Sequence, residues 1–297
     1  MAAPNTQPFH GWLNVLKPPD MTSHDVVDFV RRLVGRRPST KVGHIGTLDP
    51  GASGVLPLCL GKATRLSRFA GKNHKTYVCE IVLGIETDTL DAEGAIVGQS
   101  DAAPSLADLE QILPRFTGRI EQRPPKFSAV HYQGKRAYRL AQRKEDFDLP
   151  ARQVDIHELR LLDYRSGPPV TALLEVSCSG GTYIRSLCAD IGKALGCGAH
   201  VGLLIRKEVH PFRLEDTHTL EELQADFASA LLPIDWPLGH LPEIRLNTEQ
   251  AARFCQGSTV AEIPSAEQEF FRVYGEEMIG IGKKAGLSLA PEIVLCG

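Results

Sequence analysis

With 297 residues, 42% of them hydrophobic and 23% charged, the chain has an ordinary globular composition, sufficient for one large domain and a small one and unlike that of a disordered or fibrous protein. A formal net charge of −3 gives no hint of a nucleic-acid binder and argues weakly against one, and no apolar run approaches the length that crosses a bilayer. The seven cysteines, odd in number and without a CxxC pair, point to neither a disulfide framework nor a zinc site and fit a reducing cytoplasm.

The opening MAAPNTQPFH lacks the charged start and apolar core of a secretion signal, so residues 1–10 read as a loose tail. In MTSHDVVDFVRRLVGRR, Thr22 and Asp25 stand in capping-box spacing, Val26, Val27, Val30, Leu33 and Val34 share a helical face, and Gly35 ends it. Ser23, His24 and Asp25 are no triad, because adjacent helical side chains point apart. Next comes KVGHIGTLDPGASGVLPLCLGKATR, residues 41–65, glycine-rich with the single carboxylate Asp49 before a proline. An Asp-Pro pair by itself is a turn signal; Gly43, Gly46, Gly51 and Gly54 strengthen that reading and also let backbone approach a ligand. It is not a Walker loop, since Ala63 follows Gly61 and Lys62.

KTYVCEIVLGIETDTLDAEGAIVGQS reads as strand, polar loop, strand, with Asp88 and Asp91 as turn or solvent residues. PSLADLEQILPRFTG is a short helix boxed by Ser105 and Asp108 and stopped by Gly118. QRPPKFSAVHYQGKRAYRLAQR reads as a proline turn, a strand, a glycine turn and a basic helix. VTALLEVSCSGGTYIRSLCADIGKALG is a strand, a Gly-Gly break, and a helix capped by Thr182 with Ile184, Leu187, Ile191 and Leu195 inward, closed by Gly196. No regular βαβ alternation emerges, so an α+β sheet is expected rather than a doubly wound one. Prolines 233, 237 and 242 then mark a boundary, followed by short strands around one small helix, a compact β module against a larger neighbour.

The charge is unevenly spread. Residues 31–75 carry Arg31, Arg32, Arg36, Arg37, Lys41, Lys62, Arg65, Arg68, Lys72 and Lys75 against Asp49 alone, and residues 119–144 carry Arg119, Arg123, Lys126, Lys135, Arg136, Arg139, Arg143 and Lys144 against Glu121. Between 215 and 270 the chain is acidic, with Arg245 and Arg253 its only Lys or Arg. Such runs are either solvated faces or a front that meets a polyanion.

Five ordered motifs decide between these. GHIGTLDPGASGVLPLCLGKATR closely resembles the catalytic loop of the TruB-type tRNA pseudouridine synthases, and GWLNVLKPPDMTSHDVV resembles their Lys-Pro opening. KTYVCEIVLGIETDTLDAEG is similar to the family's tyrosine strand, QRPPKFSAVHYQGKRAYRLA to its connecting segment, and SGGTYIRSLCADIGKALG to its arginine motif, with GAHVGLLIRKEVHPF following in order. The resemblance implies a pseudouridine synthase fold, with a mixed, mainly antiparallel central sheet flanked by helices and loops. It places the catalytic domain at 11–235, an RNA-docking segment at about 100–150 and a PUA-like β module at 240–297.

It further implies isomerisation of a flipped uridine, position 55 of the tRNA T loop, in a cytoplasmic protein that is a monomer without an obligatory protein partner. The reaction is redox-neutral and gains no atoms, so neither cofactor nor metal is expected. Asp49 corresponds to the catalytic nucleophile, Tyr77 to the active-site tyrosine and Arg185 to the arginine that keeps the aspartate ionised. Tyr183 and Leu204 correspond to pocket residues, His44 to a contact with nucleotides displaced by flipping, and Lys17 to the Lys-Pro motif, a further RNA contact. Attack at C1′, addition at C6 and a glycal route stay open.

Two other functions compete: a tRNA-binding chaperone that needs no turnover, and a nucleic-acid N-glycosidase, which calls for two flanking carboxyl groups. Three departures from the family pattern stand out. Asp20 replaces a glycine, which a left-handed backbone accommodates because Asp visits that region; Ile45 replaces a threonine beside the pocket; Ile205 replaces an arginine.

Overall fold

In a computed structural model of the protein, residues 8–35, 40–70, 74–143, 145–261 and 268–296 are described. Residues 1–7 of the tail and Arg36, Arg37, Lys72 and Lys144 of the basic runs lie outside them.

Gly11–Lys17 (β1) leads into Ser23–Val34 (α1), whose N-terminus carries the expected capping box between Thr22 and Asp25. Val26, Val27, Val30 and Val34 are buried, and Gly35 caps the end at φ 71°. Val42–His44 (β2) and Ser53–Leu60 (β3) flank the loop that holds Asp49. β3 is buried on both faces. Leu56, Leu58 and Leu60 pack with Val26, Val27 and Val30 of α1, whereas Val55 and Cys59 pack with Trp12 and Phe212 on the other side, as the two-residue period of a strand requires. Each fully buried leucine contributes about 1.5–3 kcal/mol, which makes this strand a rigid wall for the loop beside it.

Lys75–Leu83 (β4) is followed by the small hairpin Ile85–Thr87 (β5) and Ile96–Gln99 (β6), and then by Leu106–Ile112 (α2), boxed by Ser105 and Asp108. Gly118–Gln122 (β7) precedes a two-residue hairpin, His131–Tyr132 (β8) and Lys135–Arg136 (β9), and the short helix Ala137–Gln142 (α3). The long strand Arg152–Arg165 (β10) pairs with Val170–Cys178 (β11). Ile184–Ala194 (α4) returns over the sheet, burying Ile184, Leu187, Cys188 and Ile191 against Cys79, Ile81, Leu174 and Val176. Its N-cap is Tyr183, one residue beyond the expected Thr182: the Tyr183 N–H donates to Gln122 Oε1 (2.8 Å) and its carbonyl accepts from Gln122 Nε2 (3.0 Å), so β7 does the capping side chain's work.

Ala199–Val209 (β12) and Phe212–Arg213 (β13) complete the sheet, ordered β1-β3-β12-β4-β11-β10-β7 with β2 on β3 and β13 on β12. Its ladders are antiparallel except β3 with β12. The α+β expectation thus holds, although β10 and β12 went unanticipated. Leu220–Ala225 (α5) then packs Leu220 and Leu223 beneath α1.

The C-terminal module orders its strands Glu243–Arg245 (β14), Phe270–Tyr274 (β16), Met278–Ala285 (β17), Ser288–Val294 (β18) and Val260–Ala261 (β15), with helix Thr248–Cys255 (α6) inserting Phe254 into the core. Ile281, Ile293 and Leu295 join the cluster of Trp12 and Val55, Phe69 meets Phe270 edge-on at 5.1 Å, and Tyr274 donates to Asp235 (2.5 Å). Arg65 donates to the Val294 carbonyl and Arg68 pairs with Glu292, so two exposed cations of the first basic run are engaged by the module.

One cysteine expectation is overturned. Cys255 at the end of α6 and Cys296 are joined in a disulfide, Cα–Cα 5.6 Å, while Cys59, Cys79, Cys178, Cys188 and Cys197 are free and buried. A pair 41 residues apart, with no local motif, gives a sequence no sign of its proximity. Because a crosslink of that span restricts the unfolded chain, reducing it is expected to lower the module's stability by about 2–4 kcal/mol, read as an earlier thermal transition in reductant and its absence in Cys296→Ser.

Candidate active site

Asp49 lies at the turn before β3, where Ala52 N–H donates to its carbonyl (3.2 Å). Three anchors fix this loop. Ser23 Oγ both donates to the Leu48 carbonyl (2.9 Å) and accepts from the Leu48 N–H (2.8 Å), pinning the residue before Asp49 to α1. Lys17, fully buried at the end of β1, donates to the carbonyls of Pro18 (2.8 Å), Pro50 (2.9 Å) and Ala52 (2.6 Å). Arg206, fully buried on β12, donates through Nε to Val55 (2.8 Å), through Nη2 to Gly46 (2.8 Å) and through Nη1 to Thr47 (3.4 Å). Gly54, at φ 108°, lets β12 come this close: a Cβ there would sit 2.2 Å from the Arg206 carbonyl.

The expected RNA contact for Lys17 is therefore not what the geometry offers. All three ammonium protons go to backbone carbonyls, and burial lowers its pKa to about 8 although Asp49 pulls it upward. Lys17 is a brace for the loop. Arg206 is its counterpart from the other side and was missed in the sequence; the signal available was a cation directly behind the apolar Leu203, Leu204 and Ile205.

Arg185, on the first turn of α4 and nearly buried, brings Nε to 2.9 Å from Asp49 Oδ2. The N–H is not aligned for a hydrogen bond, so the contact is a close charge pair. The rest of the guanidinium is committed: Nη1 to the Thr89 carbonyl (2.8 Å) and Asp91 Oδ2 (3.2 Å), Nη2 to the Phe127 carbonyl (2.9 Å). Asp91, read from sequence as a turn or solvent residue, is thus a second acid on the same arginine.

Asp49 titrates above the ordinary carboxylate value, because burial outweighs the pull of Arg185, with Asp91 adding to the rise and Lys17 opposing it. Its side chain keeps 40% of its surface open to the cavity, so water softens this shift.

That cavity, of about 220 Å³, is lined by Asp49, Tyr77, Arg185, Tyr183 and Leu204, the expected set, together with Lys75 and Ser128. Tyr77 is nearly buried, and burial raises its phenol while Arg206 opposes the rise. Arg152 stacks over Tyr183 at 5.0 Å. His44, on β2, lies outside the cavity lining; it is half-buried, its Nδ1 has no partner, and burial lowers its pKa. Of the departures, Asp20 takes φ 63°, the left-handed backbone anticipated, and Ile45 turns into the core beside Trp12 and Val55 instead of lining the cavity.

The segment expected to dock RNA is less basic than its composition. Arg119 pairs with Asp155, Arg123 with Asp148, Lys126 with Asp146 and Arg143 with Glu145. These exposed pairs are weak, on the order of 0–1 kcal/mol, so a phosphate displaces the acid at little cost. Among the described residues no helix is long and apolar enough to cross a membrane and no cluster of three metal-binding side chains occurs.

The fold and this cavity define a pseudouridine synthase. A solved Cbf5–Nop10–Gar1 complex superposes with TM-score 0.74 at 28% identity over 97% of this chain and 85% of that one, and an H/ACA RNP bound to a substrate RNA containing 2′-deoxyuridine superposes with TM-score 0.72 at 25% identity over 97% and 86%. Within that class the assignment narrows. Residues 31–184 match the model of the TruB family pseudouridylate synthase N-terminal domain, 185–236 that of the tRNA pseudouridylate synthase B C-terminal domain, and 242–295 that of pseudouridine synthase II TruB, C-terminal. The chain belongs to the TruB family of pseudouridylate synthases. It is similar to tRNA pseudouridine synthase B of Symbiobacterium thermophilum, 48% identical over 83% of this chain and 82% of the relative, and to that of Caldanaerobacter subterraneus subsp. tengcongensis, 40% identical over 95% and 98%.

Proposed function

We propose that this protein isomerises uridine 55 in the T loop of tRNA to pseudouridine, with Asp49 as the nucleophile. The relatives named tRNA pseudouridine synthase B support the substrate, and the Asp49–Arg185 contact at the cavity floor is the observation that carries the assignment of Asp49. The C1′–N1 bond breaks with its electron pair going to N1, the uracil turns in the cavity, C5 bonds to C1′, the C5 proton leaves and N1 gains one. Asp49 takes part by attack at C1′, by addition at C6 or by assisting a glycal route. Atoms and electrons balance without an added reagent.

Tyr77 covers the uracil face, Tyr183 and Leu204 hold its edge, and His44, outside the cavity lining, meets the displaced nucleotides. In this reading residues 11–235 are the catalytic domain, about 100–150 dock the RNA, 240–297 form the PUA-like module, and the protein works as a cytoplasmic monomer. Flipping costs a few kcal/mol of stacking, recovered by the cavity and by Lys and Arg contacts to phosphate.

Incubation with a T stem-loop transcript followed by nucleoside analysis is expected to yield pseudouridine at constant RNA mass. Release of free base would replace this reading with glycosidase action. Binding is expected to weaken steeply with salt, log Kd rising by about 0.7–0.9 per phosphate neutralised for each tenfold increase in salt.

A further inference from the structure

Every cation around Asp49 but Lys75 is spoken for. Lys17 and Arg206 have their protons on backbone carbonyls, and Arg185 is divided between two carboxylates and two carbonyls. Lys75, at the start of β4 and two residues before Tyr77 on the same face of the strand, lines the cavity, yet its ammonium makes no hydrogen bond or ion pair among the described residues.

Its place is fixed by Gly46. A Cβ on that glycine would lie 3.2 Å from Lys75 Nζ and 3.3 Å from Arg206 Nη1, so the ammonium reaches over the glycine into the space beside the Asp49 loop, next to a second cation. Burial, reinforced by Arg206, lowers its pKa to about 8. A half-buried cation beside another, with no counter-charge, is unfavourable at rest and becomes favourable when negative charge arrives.

The reaction supplies such charge. When C1′–N1 breaks, the electron pair left on the ring spreads over N1 and the two carbonyl oxygens. We propose that Lys75 is a catalytic residue whose ammonium donates to a carbonyl oxygen of the flipped uracil and stabilises the anionic ring while it turns. The proton stays on Lys75 throughout, and no bond to the lysine forms. The inference rests on the isomerase reading of the cavity and adds to it the group that answers the leaving-group charge.

The groups that act on Lys75 are Arg206 of β12 and Cys178 of β11; Tyr77 of its own strand, Arg185 of α4 and Asp49 line the same cavity. Tyr77 is raised above the usual phenol value and Cys178 is pushed up to about 11, and Asp49 costs rate on gaining its proton rather than on losing it, so a loss of rate as pH rises through about 8 falls to Lys75 or to Lys17 behind the loop. The Lys75→Arg variant separates these two.

The test is single-turnover kinetics on the T stem-loop transcript with intact protein, Lys75→Met and Lys75→Arg, alongside transcript affinity and thermal midpoint. Lys75→Met is expected to slow conversion by about 10²–10³-fold, with affinity changed less than about threefold, the midpoint not lowered and the limb near pH 8 gone. Lys75→Arg is expected to keep conversion within about tenfold of the intact protein and to carry the limb to higher pH. Conversion by Lys75→Met within about twofold, a loss confined to affinity, or an alkaline limb unmoved in Lys75→Arg overturns the inference and leaves the isomerase reading standing. Failure of the intact protein to convert the transcript takes both down.

Discussion

Asp49→Asn is expected to lower conversion of the T-loop transcript by about 10⁴-fold or more while leaving the transcript bound as tightly as before. Amide and carboxylate have nearly the same shape, and Arg185 stays in place through Asp91 and the carbonyls of Thr89 and Phe127, so the cavity persists without its nucleophile. The fold is expected to be no less stable. Burial raises the Asp49 pKa above its unfolded value, so above that pKa the native state carries a penalty for the charged form, and the neutral amide removes it. The same shift sets the acid side of the rate profile: kcat/KM falls as pH drops through a value above the ordinary carboxylate range, and Arg185→Met moves that limb higher still. Unchanged function in Asp49→Asn would instead identify a tRNA-remodelling protein whose action needs no turnover.

How far the sequence discloses this site depends on whether the deciding contacts are local. α1 was legible in full, because its cap, its valine face and its glycine stop lie within one stretch. β10 and β12 were not. Each carries register shifts, at Ile156/Glu158 and Leu161/Asp163 in one and at Val201/Leu203 and Arg206/Glu208 in the other, and these break the alternation by which a strand announces itself. Asp91 shows the limit within one side chain. Its Oδ1 accepts from Thr89 and Glu93 as a turn residue's should, while Oδ2 meets Arg185 from a distant helix, and only the first contact is written nearby in the chain. Asp49, Tyr77 and Arg185 were named through motif resemblance, not spacing; composition left Asp49 as an Asp-Pro turn. Lys17 was named by the same route for a different role and Arg206 was not named, because their partners are backbone carbonyls that leave no trace in residue type.

Arg206→Met is expected to lower stability by about 3 kcal/mol in chemical denaturation and the conversion rate by about 10²-fold. The substitution strands the carbonyls of Gly46, Thr47 and Val55, three acceptors that the guanidinium fork satisfies from within the sheet, and a flexible thioether offers them nothing. With this brace gone Ser23 still pins Leu48 and Lys17 still holds Pro50 and Ala52, but Gly46 and Thr47 lose their side-chain anchor, and a nucleophile displaced by about 1 Å from its attack position loses rate on that order. Arg206→Lys is expected to recover part of the stability and little of the rate, since a point-like ammonium on a shorter reach lacks the planar fork that meets Val55 on one side and Gly46 and Thr47 on the other. The pattern separates positioning from chemistry: Asp49→Asn removes turnover and spares the fold, whereas Arg206→Met damages both and keeps the acid limb that Asp49 sets. A stable, fully active Arg206→Met protein would mean that the loop holds its shape without β12, and the case for this buried cation as the far anchor of the active site would fail.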